Sequence, residues 1–351
     1  TDTCTTDIYP LPLPDALTLF SDNRGCAWRW IEDNRDATDA AIKAAPHVTT
    51  LKLVNNRLIP NAIEGRVSIG DYNPGTDHYI LTTTSQNPHV TRLLICAFVM
   101  GIPENKLTVI GPDIGGGFGS KIHHYGEEAL VLAASKKLGR PVKWTATRSE
   151  SFLADTHGRD HETTIELACE KDGTFIAIRT DTRANVGAYL STFATVTPTI
   201  LHAPTMAGSY RVPNVYVNVK TVFTNTAPVD AYRGAGRPET TYSVERVIDK
   251  CARELGIDPI EIRRKNFIKP DQYPFTTAAG LEYDSGNYDA LMDRRRHTSE
   301  LQSRRNLVCR LLLEKKKPIF PHFHPTPRLI LLPPHVLISG TTTVAHTANY
   351  P

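Results

Sequence analysis

The sequence predicts an α+β fold with mixed sheets over residues 40–268, and three observations carry the prediction. Short segments such as VTTLKLVNN alternate apolar and polar residues with period two, which suits half-buried strands. Two longer segments read as helices. Tyr125–Leu138 carries Ala, Leu and Val along one face and stops at Gly139, and Glu239–Leu255 follows Pro238 and stops at Gly256. Between two strand-like segments, Lys171–Asp172–Gly173 reads as a hairpin turn. With 351 residues, 40% apolar and 22% charged, the chain can bury the cores of two or three modest domains.

In chain order, residues 1–37 read as a connector, and VTTLKLVNN is the first strand. TDHYILTTTSQ is the second, with Asp71–Gly75 as the turn before it. His89–Val99 reads as a helix that ends at Gly101–Ile102–Pro103. LTVIGPDIGGG is a strand running into a glycine loop, and the helix to Leu138 follows. PVKWTAT, HETTIELACE, TFIAIRTDTRANV and VYVNVKTVFTN read as strands. The helix from Glu239 and a short one at Pro259–Asn266 close the ordered pattern. Beyond Asp293 the pattern fails: seven Pro, one Gly and no sustained period are expected to give an irregular basic tail, disordered or out of frame.

Composition excludes several classes. No run of eighteen apolar residues predicts a membrane span. The N-terminal stretch lacks the basic region of a signal peptide, and without an initiator Met it reads as the inside of a longer protein. Six cysteines, none in a close pair, suit buried thiols in a cytoplasmic protein rather than zinc or iron–sulfur ligation. His123 and His124 are adjacent and would point different ways, so no metal role is expected for them. The net charge of +3 is uneven: residues 294–351 hold ten Lys or Arg and two Glu, so the body is mildly acidic. Nucleic-acid binding by the body is not indicated.

Two glycine-rich loops are the candidate site. Gly111–Lys121 reads GPDIGGGFGSK, and Arg233 stands in DAYRGAGRPE. Glycine loses the most backbone entropy on folding, so such a run belongs where backbone approaches something closely. The Arg233 fork between small residues is uncrowded. Together they suggest a pocket for a bulky, anionic, polar cofactor. The first loop is no phosphate-binding P-loop, because Ser120 rather than Lys follows Gly119, and no dinucleotide fingerprint, because Ser120 takes the third glycine position. The competing reading is a tight structural turn and a loop leading into a helix.

These loops occur with LVNNRLIPNAIEGR (Leu53–Arg66), TTSQNPH (Thr83–His89), RSESFLADTHGRDHETTIEL (Arg148–Leu167), ANVGAYLSTF (Ala184–Phe193) and IRRKNFI (Ile262–Ile268). In order and spacing, residues 38–293 resemble the molybdenum-cofactor-binding large subunit of the xanthine dehydrogenase, aldehyde oxidase and carbon monoxide dehydrogenase family, of the AYRGAGR-loop type. The resemblance implies a mixed-sheet molybdopterin-binding fold of that family, truncated at both ends. It divides the chain into a linker or end of a preceding small domain (1–37), a first cofactor-binding domain (38–268), the start of a truncated second one (269–293), and the tail (294–351). The face meeting that second domain is expected to be apolar and to promote self-association.

The resemblance implies molybdenum-molybdopterin, in its cytosine dinucleotide form, with iron–sulfur and FAD cofactors only on partner subunits. It implies no direct protein ligand to the metal, with Gln86, Phe118 and Arg233 near molybdenum. Gln86 matches a glutamine whose amide donates to a metal-bound oxygen. Gly116, Gly117, Phe118 and Gly119 match the loop that covers the cofactor, and their N–H groups would approach the pterin. Arg233 would offset negative charge, while Arg237 is expected to be structural, pairing near the start of the next helix. The carbon monoxide-oxidising type has a copper-binding cysteine after the loop arginine, where this chain has Gly234. The purine-oxidising type has Glu and Phe where this chain has Ile122 and Ala235. The implied reaction is oxidative hydroxylation of an aldehyde or heterocycle, a small-molecule substrate, with water as the oxygen source. The family base, a Glu near the C-terminal end of the large subunit, has no match here. Glu127, Glu128 and Glu150 lie outside its motif, so no catalytic residue is assigned. The alternative function is a non-catalytic folded remnant or decoy subunit that cannot hold the cofactor.

Overall fold

The computed structural model describes residues 24–30 and 34–292. The described residues up to Asp289 form one compact unit. Two sheets organise it. The larger has the order β1-β9-β8-β7-β2, from β1 (Arg24–Trp30), β2 (His47–Asn55), β7 (His161–Cys169), β8 (Phe175–Gly187) and β9 (Asn214–Phe223). The smaller has the order β5-β4-β3-β6, from β3 (Val67–Asn73), β4 (His78–Thr83), β5 (Leu107–Ile110) and β6 (Val142–Thr145). Each holds one parallel pair, β8 with β9 and β4 with β5, among antiparallel neighbours. The fold is therefore α+β with mixed sheets, as the period-two segments predicted.

Alternation sets which faces are buried. Ile165, Leu167, Ile178, Val215, Val217 and Val219 are completely buried in the large sheet. Helix α5 (Arg237–Leu255) packs on β2 and β7 through Val247, Ile248 and Cys251, which are equally buried. Helix α1 (Arg35–Ala44) packs on β8 and β9. A second core joins Tyr79, Leu81, Ile95, Leu107, Val131 and Leu132 between the small sheet and helix α3 (Gly126–Leu138). The parallel β8–β9 pair needs a long crossover. Residues 188–213 supply it, with a 3₁₀ turn at Ala203–Thr205.

Four expectations need correction. Residues 24–30, read as connector, form an edge strand paired with β9. The turn expected at Asp71–Gly75 begins later: β3 runs through Asp71 to Asn73, and Asp77 carries the left-handed backbone. Gly70 within β3 serves close packing, because a Cβ there would stand 2.5 Å from the Val131 carbonyl of α3. The helix expected at His89–Val99 is α2 (Pro88–Leu94) followed by a π-helical turn at Ile95–Met100, and left-handed Gly101 ends it. The expected side-chain pairing of Arg237 is not found among the described residues; its N–H donates to the Gly234 carbonyl at the first turn of α5. The hairpin turn at Lys171–Gly173 and helix α6 (Pro259–Asn266) stand where expected. The readings of residues 1–23 and of the tail from 293 onward lie outside the described residues.

Candidate functional site

The first glycine loop leaves β5 at Ile110 and runs to Lys121, shortly before α3 begins at Gly126. One carboxylate ties its two ends: Glu64 Oε2 accepts from Gly115 N at 2.7 Å and from Lys121 Nζ at 3.0 Å. The Lys121 hydrogen bond holds the Glu64 carboxyl below its usual range, against the effect of burial. Gln86 stands just beyond β4 and closes the loop from the other side. Its N–H donates to the Lys121 carbonyl at 2.8 Å, and its Oε1 accepts from Gly119 N at 3.0 Å. That bond fixes the amide's orientation, because only the oxygen accepts. The exposed –NH₂ end is left as a donor with no acceptor among the described residues.

The glycines are required first by this packing. A Cβ at Gly117 would stand 2.2 Å from Gln86 Oε1, and one at Gly119 would stand 2.1 Å from the Ala231 carbonyl. Gly116 has φ +93°, and Phe118, a non-glycine, has φ +53°. Sparsely populated backbone of this kind collects at ligand sites. Phe118 is 45% exposed, so it does not plug the core.

The second loop docks on the first. Arg233 N donates to the Phe118 carbonyl at 2.9 Å, linking the Phe118 and Arg233 positions that sequence reasoning paired. Arg159 clamps this loop from beneath. Its Nη1 donates to the Tyr232 carbonyl at 2.8 Å and to Glu239 at 3.1 Å, and its Nη2 donates to the Arg233 carbonyl at 2.9 Å. Arg159 is buried and has φ +66°. Burial raises the Glu239 carboxyl, and Arg159 opposes that shift. The Arg233 side chain is exposed, with no ion pair among the described residues. Its charge is therefore available.

Deeper groups brace both loops. His123 Nδ1 lies 3.2 Å from Asp230 Oδ2, and both side chains are buried. Burial lowers the His123 pKa, and Asp230 works against it. Asp230 also accepts from Phe193 N and Ala231 N. His124 turns instead to Glu128, so the two histidines do point different ways. His202 bonds Thr240 Oγ1 at 2.9 Å under the second loop, edge-on to His161. Burial lowers His202 to about 4 and His161 well below its usual range.

Sequence reasoning missed Glu64, Lys121, Arg159 and Asp230. All four lay inside quoted motifs, but their roles rest on distant contacts, as with Arg159 and carbonyls 73 and 74 residues away. No local signal marks such a contact.

The described chain is thus a mixed-sheet domain with two interlocked glycine loops that present an exposed amide and an exposed guanidinium. The profile of the molybdopterin cofactor-binding domain matches residues 23–267, and the chain belongs to that family. It is 37% identical over 270 residues to the carbon monoxide dehydrogenase large chain of Hydrogenophaga pseudoflava, covering 76% of this chain and 33% of that one. It is 33% identical to the nicotine 6-hydroxylase large subunit of Paenarthrobacter nicotinovorans, covering 73% and 31%. Quinoline 2-oxidoreductase from Pseudomonas putida 86 superposes with a TM-score of 0.76 at 30% identity, covering 85% of this chain and 37% of that one. The chain thus spans about a third of the length of the curated relatives it matches. Among the described residues no helix is long and apolar enough to cross a membrane.

Proposed function

We propose that this chain supplies one side of the molybdenum–molybdopterin site of a hydroxylase that oxidises an aldehyde or an N-heterocycle. The observation that carries the reading is the interlock of the two loops through Gly119 N to Gln86 Oε1 and Arg233 N to Phe118 O. It leaves the Gln86 amide and the Arg233 guanidinium as unpaired donors beside a strained Phe118.

These residues fit the group. An amide can donate to an oxo-type oxygen without adding charge, and a guanidinium offsets a phosphate. Neither N–H of Gly117 nor of Phe118 has an acceptor among the described residues, which suits an anionic partner. When bound, the metal supplies a two-electron oxidant and activates the oxygen that water provides. Arg233 would hold the anionic end of the cofactor. Phe118 would cover its face and restrict water, and Gln86 would orient the oxygen side. No protein atom is assigned as a direct metal ligand.

The proposal includes the cytosine dinucleotide form of the cofactor, separate iron–sulfur and FAD subunits as electron acceptors, and a cytoplasmic setting. Carbon monoxide is not the proposed substrate, despite the similarity to carbon monoxide dehydrogenase. Gly234 follows the loop arginine and has no thiol for copper.

A second reading, a folded remnant without cofactor, is favoured by the openness of the face. Gln86, Phe118 and Arg233 are all exposed, so a cofactor on this chain alone would stay wet. Metal analysis of the purified chain, with fluorescence of the oxidised pterin, separates the two. Near-stoichiometric molybdenum and pterin support the site, and turnover of aldehydes or N-heterocycles then identifies the substrate class. Their absence from a folded chain supports the remnant.

A further inference from the structure

Beneath the first glycine loop lies a small polar cavity of about 10 Å³, between strands β3 and β4 and the turn that leads into α3. Its lining includes Arg66, Lys121, His123, Tyr125 and Glu128, with hydroxyls from the two strands. Most of these groups are partnered. Arg66 bonds Asp155 at 2.6 Å and Glu127 at 3.2 Å. Tyr125 Oη donates to the Ser120 carbonyl. Glu128 accepts from Thr83 through one oxygen and from His124 and Tyr125 N through the other. Ser68 and Thr83 bond each other.

Two groups remain. Lys121 Nζ is buried and has three N–H donors, yet Glu64 is its one acceptor among the described residues. His123 is 2% exposed, and neither ring nitrogen makes a well-aligned hydrogen bond. Its tautomer follows from Asp230. Asp230 Oδ2 already acts as an acceptor toward Phe193 N, so the nitrogen beside it, Nδ1, carries the hydrogen and Nε2 keeps its lone pair. The cavity wall therefore lacks an acceptor for Lys121 and a donor for His123. An anion can satisfy the first but not the second. A cation is repelled by Arg66 and Lys121. Water satisfies both, and the volume matches about one water molecule.

We propose that this cavity is a specific site for a single water molecule that accepts from Lys121 Nζ and donates to His123 Nε2. The bound water braces the C-terminal end of the first loop, because Lys121 also anchors Glu64 and its carbonyl anchors Gln86. This site does not depend on the cofactor reading.

The test is a crystal structure of the full chain at a resolution that shows ordered water, collected with and without a bromide soak. The expected result is one density peak within hydrogen-bonding distance of both Lys121 Nζ and the His123 ring, with no anomalous signal. Absence of the peak, an anomalous bromide peak, or a His123 ring turned so that it closes the cavity overturns the proposal. His123→Phe removes the acceptor while keeping an aromatic ring, and the peak is expected to vanish. Its persistence there also overturns the assignment. Should that variant fail to fold, ¹⁵N-histidine spectra of the unmodified protein decide. A His123 that is Nδ1–H with a hydrogen-bonded Nε2 supports the site, and the opposite tautomer sinks it.

Discussion

Adding one methyl group at Gly117 challenges the first loop directly. The new Cβ would stand 2.2 Å from Gln86 Oε1, so either Gln86 or the loop must move. Overpacking of this kind costs about 1–3 kcal/mol, and Gly117→Ala is expected to lower retained pterin roughly ten-fold. Pterin fluorescence per mole of folded chain reads this, and unchanged retention would remove Gln86 from the site. A second prediction concerns His202. Burial lowers its folded value to about 4 from an ordinary 6.5, so the folded state favours the neutral ring. The stability contribution is present above about pH 6.5 and is lost as pH falls toward 4. It amounts to on the order of 3 kcal/mol. Urea unfolding across that window should show the decline, and His202→Leu should flatten part of it. His161 shifts in the same direction and keeps a residual slope. At this scale the sequence revealed what is local. Gln86, Phe118 and Arg233 stood in recognisable motifs, and the structure brings them together. The roles of Arg159, Glu64 and Asp230 were illegible even though their motifs were quoted, because each acts on backbone or side chains far along the chain.

The β3–α3 contact shows why one element was misread. The expected turn at Asp71–Gly75 falls on the end of β3, and glycine inside a strand can mark a close backbone approach. Here glycine admits α3 onto the sheet, and its absent side chain leaves room for the backbone of Val131 and Leu132. Gly70→Val would place carbon where those atoms lie. It is expected to destabilise the domain by at least about 1–3 kcal/mol while leaving Gln86 and the loops untouched in sequence. Chemical denaturation measures the loss, and an unchanged midpoint would mean that α3 shifts freely on the sheet. Helices capped by glycine were legible to within two residues at either end, as at Leu138 and Leu255. Their stop signals are local: left-handed Gly139 and Gly256 end them directly. Strand β1 and helix α1 were hidden for the opposite reason. RGCAWRW draws its order from pairing with β9, about 190 residues later, and α1 buries only Thr38 fully.

Across the molecule's described residues, several large apolar side chains are exposed in groups. Leu93, Phe98, Val99 and Ile110 are exposed on α2, the π-helical turn and β5, elements that pack side by side. Phe98 is 77% exposed, and β5 is an outer strand of its sheet. Near the other edge, Ile63 at 95% and Leu153 at 79% lie on segments joined by the Arg148 bond to the Ile63 carbonyl. Scattered apolar residues need no explanation, but grouped ones mark surfaces that meet another chain or domain. An outer strand beside such a group also offers unpaired backbone to a second copy. The purified chain is therefore expected to self-associate as its concentration rises, with static light scattering giving an increasing apparent mass. Phe98→Ser and Leu153→Ser together should reduce that increase without altering the circular dichroism spectrum, because both side chains lie outside the cores around Leu81 and Ile178. A constant monomer mass over the whole concentration range would show that these groups are too small or too well solvated to act. The open face around Gln86, Phe118 and Arg233 would then have to be explained by cofactor binding alone. If the double variant stays monomeric yet retains pterin as the unmodified chain does, association and cofactor binding use separate surfaces. The candidate site could then be studied on this chain free of its own aggregation.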